Sequence, residues 1–80
     1  MKYWDGQEAR LGDRITLAGS PGVVVASMDT REYSAGHSEA QWGYLKSGVM
    51  IEFRQYGLIH YTVADEDLLL VARASSSGER

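Results

Sequence analysis

GVMIEFRQYGLIHYTV, residues 48–63, decides the fold. Its two apolar runs are separated by Arg54-Gln55-Tyr56-Gly57, which suits a type I turn with Gly57 in the left-handed position that glycine fills without strain. That loop sets a register. Arg54 lies opposite Leu58, Phe53 opposite Ile59, Glu52 opposite His60, Ile51 opposite Tyr61, Met50 opposite Thr62 and Val49 opposite Val63. One face then collects Val49, Ile51, Phe53, Ile59, Tyr61 and Val63; the other collects Met50, Glu52, Arg54, Leu58, His60 and Thr62. A slip of one residue would set His60 against Ile51 and mix the two sets, so the pattern selects this hairpin.

The chain on either side continues the same way. RLGDRITLAGSPGVVVASMD, residues 10–29, turns at Gly12-Asp13, runs through a strand with Ile15 and Leu17 alternating, and turns again at Gly19-Ser20-Pro21-Gly22. Val23-Val24-Val25-Ala26 is apolar on both faces, as a central strand covered twice would be. On the far side, Ala64 to Asp67 reads as one tight 3-10 turn with Asp65 able to cap it, and Leu68 to Val71 as a short last strand. The Ser/Gly-rich end sets the boundaries: residues 1–74 as a single domain, 75–80 as a flexible tail.

Five short strands without a long amphipathic helix call for a closed sheet, because closure removes edges that a small sheet would otherwise expose. The pattern resembles a mainly β, five-stranded SH3-like barrel. It would carry a short helix in the long loop between strands 2 and 3 and a one-turn 3-10 helix before the last strand. LGDRITLAGSPGVVVASMD is also similar to the opening of KOW modules.

Composition narrows the function classes. Eighty residues leave room for one core and little for a buried cleft. The chain has no cysteine, which excludes a disulfide scaffold, a thiolate metal site and a cysteine nucleophile. The net charge is −3, and the eight Lys and Arg are scattered singly, a poor footprint for binding a phosphate backbone. The first residues lack the apolar core of a leader peptide, and no run approaches the roughly 20 apolar residues of a membrane span, so the expected location is cytoplasmic.

No constellation reads as an active site. His37 with Glu39, and His60 with Glu52, fall short of the three or four converging ligands of a zinc site. Asp65, Glu66 and Asp67 make a solvated acidic turn with no nucleophile beside them. AGSPG lacks the lysine and the following helix of a phosphate cradle. The expectation is therefore a non-enzyme with no metal or cofactor. Trp4, Tyr33, Trp42, Tyr44 and Tyr56 could stack on RNA bases, but the acidic balance opposes it.

What the strands leave over is MDTREYSAGHSEAQWGYLKSG, residues 28–48, far longer than the usual connection of about 4–6 residues. Ser38 is a good N-cap followed by an early acid, which predicts a short helix over Glu39 to Leu45. Two readings stay open together: Trp42 and Leu45 fold back as a lid, or Tyr33, Trp42 or Tyr44 faces out among Asp29, Arg31, Glu32 and Glu39. Exposed aromatics ringed by charge are common in protein-binding hot spots.

Taken whole, MKYWDGQEARLGDRITL, GVVVASMDTREYS, EAQWGYLKSGVMIEF, YGLIHY and DEDLLLVAR resemble a family of small bacterial proteins of this length. Some of these resemble the immunity partners of polymorphic or type VI secreted toxins. The resemblance implies an acidic inhibitor that binds a cognate, cytosol-acting toxin. Asp29, Glu32, Glu39, Asp65, Glu66 and Asp67 would supply charge, and Tyr33, Trp42 and Tyr44 contact area. The alternative is an accessory module that binds RNA or a ribonucleoprotein.

Overall fold

The computed structural model describes residues 1–34, 36 and 39–73. Its strands are β1 (Arg14–Leu17), β2 (Ser20–Ser27), β3 (Glu32–Tyr33), β4 (Val49–Phe53), β5 (Gly57–Tyr61) and β6 (Leu68–Ala72). They form one antiparallel sheet in the order β5-β4-β2-β1-β6, with β3 pairing onto β2 off this path. A single helical turn, Glu39–Trp42, and a 3-10 turn, Gly43–Leu45, lie between β3 and β4. Ser38, His37 and the tail from residue 74 lie outside the described residues.

The mainly β, antiparallel expectation holds. The strand count and the closure need correction: among the described residues the sheet has six strands and is not closed, because β5 and β6 end the order without pairing with each other. Residues 62–67, which join them, cross the open side as irregular chain. Within this link Leu68 N–H donates to the Asp65 carbonyl at 3.0 Å. One such bond closes a turn, whereas the expected 3-10 helix needs a succession of them. The extra strand comes from MDTREY. Arg31 takes a positive φ of 56° and its N–H reaches back to the Met28 carbonyl, which lays Glu32–Tyr33 against Ser27 and Ala26.

The β4–β5 hairpin forms in a register two residues from the expected one. Gly57, at φ +80°, enters the strand directly and pairs with Phe53, so Ile51 lies opposite Ile59 and Val49 opposite Tyr61. A shift of two preserves the faces because side chains alternate with period two. Val49, Ile51 and Phe53 are accordingly buried, while Val63 falls beyond the strand and is exposed. The individual partners do change: Glu52 meets Leu58 and His60 meets Met50.

A bulge explains how β2 serves both faces. Val24 pairs with Ile51 and Ala26 with Met50, leaving Val25 as the extra residue. The insertion inverts the alternation, so Val24 and Ala26 share parity but not a face. Val24 joins Ile15, Val49, Ile51, Phe53 and Leu68 in the main core. Val25, Ala26, Met28 and Met50 form a second cluster, over which Tyr33, Trp42 and Leu45 pack. Met50, expected on a polar face, is buried for this reason. Each large side chain so buried contributes about 1.5–3 kcal/mol.

The first nine residues form a small hairpin that closes over the main core. Asp5-Gly6 turns the chain, Lys2 bridges Glu8, and Met1, Tyr3 and Ala9 are buried. A buried carboxylate fastens it. Asp13 accepts the Tyr3 hydroxyl at 2.8 Å, the Arg10 N–H at 2.9 Å and the Arg73 guanidinium at 3.0 Å. The same Arg73 Nη1 donates to the Glu8 carbonyl, so the residue after β6, the β1 entry and the N-terminal hairpin meet at one point. A buried carboxylate is tolerated because every approach to it is a donor.

Candidate functional site

The nine residues expected at a partner surface separate into distinct environments. Asp29 accepts from the Met1 ammonium, which also donates to Glu8 at 3.0 Å. Burial raises the Asp29 pKa, yet the hydrogen bonds from that ammonium and from the Gly48 backbone outweigh it and hold the carboxyl below its ordinary value. Glu32 accepts both Arg10 Nε and Nη2 at 2.9 Å, Thr30 Oγ1 at 2.7 Å and Leu11 N–H at 3.2 Å. The Arg10 bond, foremost, lowers its pKa to about 2. Tyr33 and Trp42 lie against the second cluster. The Glu39 side chain lies outside the described residues. Tyr44, by contrast, is 70% exposed, and Asp65, Glu66 and Asp67 all face solvent.

Among the described residues of the loop from 28 to 48, Asp29, Glu32, Tyr33, Trp42 and Leu45 are thus committed to the fold. Asp29 and Glu32 tie the loop to the N-terminal hairpin and its exit, while Tyr33, Trp42 and Leu45 cover one face of the sheet. Both sequence readings of its aromatics apply, to different residues: Trp42 and Leu45 pack inward, and Tyr44 faces outward.

The acidic turn has a neighbour that sequence reasoning left out of the site. Trp4 donates its indole N–H to the Ala64 carbonyl at 2.9 Å, although the side chain is 68% exposed. Val63, on the other side of Ala64, is 75% exposed. An indole fixed through its nitrogen with its ring in solvent presents apolar area at little further cost in side-chain entropy. The turn behind it is held as well, by Leu68 N–H on the Asp65 carbonyl and Ala18 N–H on the Asp67 carbonyl. Trp4, Val63 and the carboxylates of Asp65, Glu66 and Asp67 therefore form a pre-arranged surface of mixed apolar and anionic character. The signal for it was the Asp-Gly pair at residues 5 and 6, a turn dipeptide that folds Trp4 back toward the last crossover.

Comparison with known proteins returns no matching family model, no matching curated relative and no matching solved structure. The reading of the site therefore rests on its chemistry. Among the described residues no three His, Asp or Glu side chains gather as a metal would require. His60 Nε2 lies 2.9 Å from the Ser47 carbonyl, and Asp13 is enclosed by its donors. No helix among the described residues is long and apolar enough to cross a membrane.

Proposed function

We propose that this domain is a non-catalytic binding module whose partner is a protein with a basic contact surface. Trp4 and Val63 supply the desolvated contact and Asp65, Glu66 and Asp67 the charge. The observation that carries this reading is an exposed indole, fixed by its N–H, beside a turn of three solvated carboxylates. Tryptophan is enriched among hot-spot residues, and charge at an interface rim speeds encounter.

The role that suits such a surface on a small acidic chain is that of an immunity protein, acting in the cytoplasm on a toxin such as a nuclease whose own substrate demands a basic face. The strand order, in which the last strand returns beside the first, supports an SH3-like architecture, and the helical turn in the long loop supports reading that loop as a cover for the sheet. The RNA-binding alternative has less support, because Arg10 and Arg73 are engaged by Glu32 and Asp13.

The test is binding to a toxin encoded beside this protein, measured kinetically at several salt concentrations. Trp4→Ala should weaken the complex at least about 30-fold, the equivalent of a 2 kcal/mol hot spot, with melting temperature little changed. Neutralising Asp65, Glu66 and Asp67 together should slow association and flatten its salt dependence. Unchanged affinity in both variants would refute the assignment of the surface, and failure of the protein to protect cells from the toxin would refute the immunity role.

A further inference from the structure

A second surface lies on the sheet itself, apart from Trp4 and the acidic turn. Across β1, β2 and β4 runs an open groove of about 770 Å³. Arg14, Val23 and Glu52 stand side by side in it, since Arg14 pairs with Val23 and Val23 with Glu52. Pro21 and Arg54 line it one step along, and Val71, 63% exposed, borders it from β6. Val23 and Pro21 form an apolar floor. Arg14 and Arg54 rise on opposite sides, two strand spacings across and two residues along, or about 12 Å apart.

The charges are the informative feature. In an acidic chain, Arg10 and Arg73 are taken up by Glu32 and Asp13, whereas Arg14 and Arg54 make no ion pair among the described residues. Two free guanidinium groups flanking an apolar floor complement carboxylates spaced around an apolar side chain. A guanidinium also binds a carboxylate through two parallel hydrogen bonds, which fixes orientation.

We propose that this groove docks an extended acidic segment of a partner protein, its carboxylates on Arg14 and Arg54 and an apolar side chain between them on Val23. Glu52 then accepts backbone N–H groups of the segment, while Arg14 and Arg54 turn away lysine-bearing competitors. A nucleic acid fits less well. Among the described residues the one aromatic lining the groove, Phe53, is buried and offers no face on which bases could stack. This docking is independent of the Trp4 surface and opposite to it in charge.

The test is an amide-detected NMR titration of the whole protein with a capped Glu-Val-Pro-Val-Glu peptide, whose glutamates stand about 13 Å apart when extended. Saturable shifts should centre on Arg14, Val23, Glu52, Arg54 and Val71. The Arg14→Ala, Arg54→Ala double variant should lose at least about tenfold in affinity, the equivalent of one charge-assisted bond, whereas Trp4→Ala should bind as before. Equal shifts with the Lys-Val-Pro-Val-Lys counterpart would overturn the proposal, as would no saturable shifts in the groove. Groove shifts produced by hexauridylate but not by the acidic peptide would reassign the surface to nucleic acid. Groove shifts produced by raising protein concentration alone would reassign it to a second copy of this chain.

Discussion

Glu32 offers the sharpest test of how the long loop is held. Its carboxylate accepts four hydrogen bonds: two from Arg10, one from the Leu11 backbone and one from Thr30. Arg10 is 54% exposed and the Glu32 side chain 27%, so water screens much of the Coulomb energy. The bidentate geometry and the backbone donor retain about 1–2 kcal/mol of net stabilisation. Glu32→Gln preserves shape but turns an amide NH2 toward groups that are themselves donors, and should lose about that much at pH 7.

The pH dependence follows from the direction of the shift. The carboxyl titrates near 2 in the folded protein against an ordinary 4.5, so the folded state favours its ionised form. The stabilisation is complete above 4.5, declines as pH falls toward 2, and is gone below both values. Urea unfolding of the wild type and Glu32→Gln, followed by tryptophan fluorescence, should show a gap that is constant from pH 7 to 5 and closes by pH 2. Contributions common to both proteins, that of Asp29 among them, cancel in the difference. An Arg10→Gln, Glu32→Gln double-mutant cycle should return a coupling of about 0.5–1 kcal/mol that shrinks in 1 M salt. A gap that persists unchanged to pH 2, or is already absent at pH 7, would refute the assignment.

Four further outcomes are expected. Gly48 has φ +85°, and a β-carbon there would sit 2.1 Å from the Tyr61 carbonyl oxygen, so Gly48→Ala should cost more than about 2 kcal/mol in urea unfolding by steric and backbone strain together. The Trp42 Nε1 is buried with no hydrogen-bond partner among the described residues; Trp42→Phe should thus stay within about 1 kcal/mol of wild type, while Trp42→Ala should lose about 3 kcal/mol and loosen the loop. Asp13→Asn should cost about 2–4 kcal/mol, because it leaves the Arg73 guanidinium without its buried counter-charge. In the wild type, burial and then the Asp13 hydrogen bond hold the Tyr3 pKa above its ordinary 10. Burial raises the Tyr61 pKa as well, so absorbance at 295 nm should show Tyr3 and Tyr61 ionising late, Tyr3 the later, with stability falling once pH passes 10.

The faces of the β4–β5 hairpin were legible in the sequence because alternation survives any shift by two, while the pairing itself was not. Phe53 opposite Gly57 and Phe53 opposite Ile59 bury the same face, and both place Gly57 in the left-handed region, so no residue in the pattern separates them. The bulge at Val25 was hidden for a similar reason: VVVA is apolar at every position, so no polar residue marks where the alternation inverts. β3 escaped notice because it is two residues long and its sequence, Glu-Tyr, has no apolar pattern. Its formation depends on Arg31 entering the left-handed region, which Asn or Gly would have signalled and arginine does not. Trp4 was readable as an aromatic but not as part of a surface, since its partner carbonyl lies sixty residues away.

These differences change where loss of function should be sought. In the loop of residues 28–48, Asp29 and Glu32 have internal donors and Tyr33 and Trp42 have internal packing, so substitutions there act first on stability. Their effect on any partner should scale with the fraction of chain unfolded and vanish when binding is measured on folded protein. Trp4, Val63 and the turn from Asp65 to Asp67 carry little of the core, so substitutions there should alter affinity at constant melting temperature. The two classes separate in one experiment, a plot of affinity against unfolding free energy for variants of both regions. Loop variants should cluster along the stability axis and turn variants along the affinity axis. A loop variant such as Tyr33→Leu that weakens binding while keeping full stability would place the contact back in the loop.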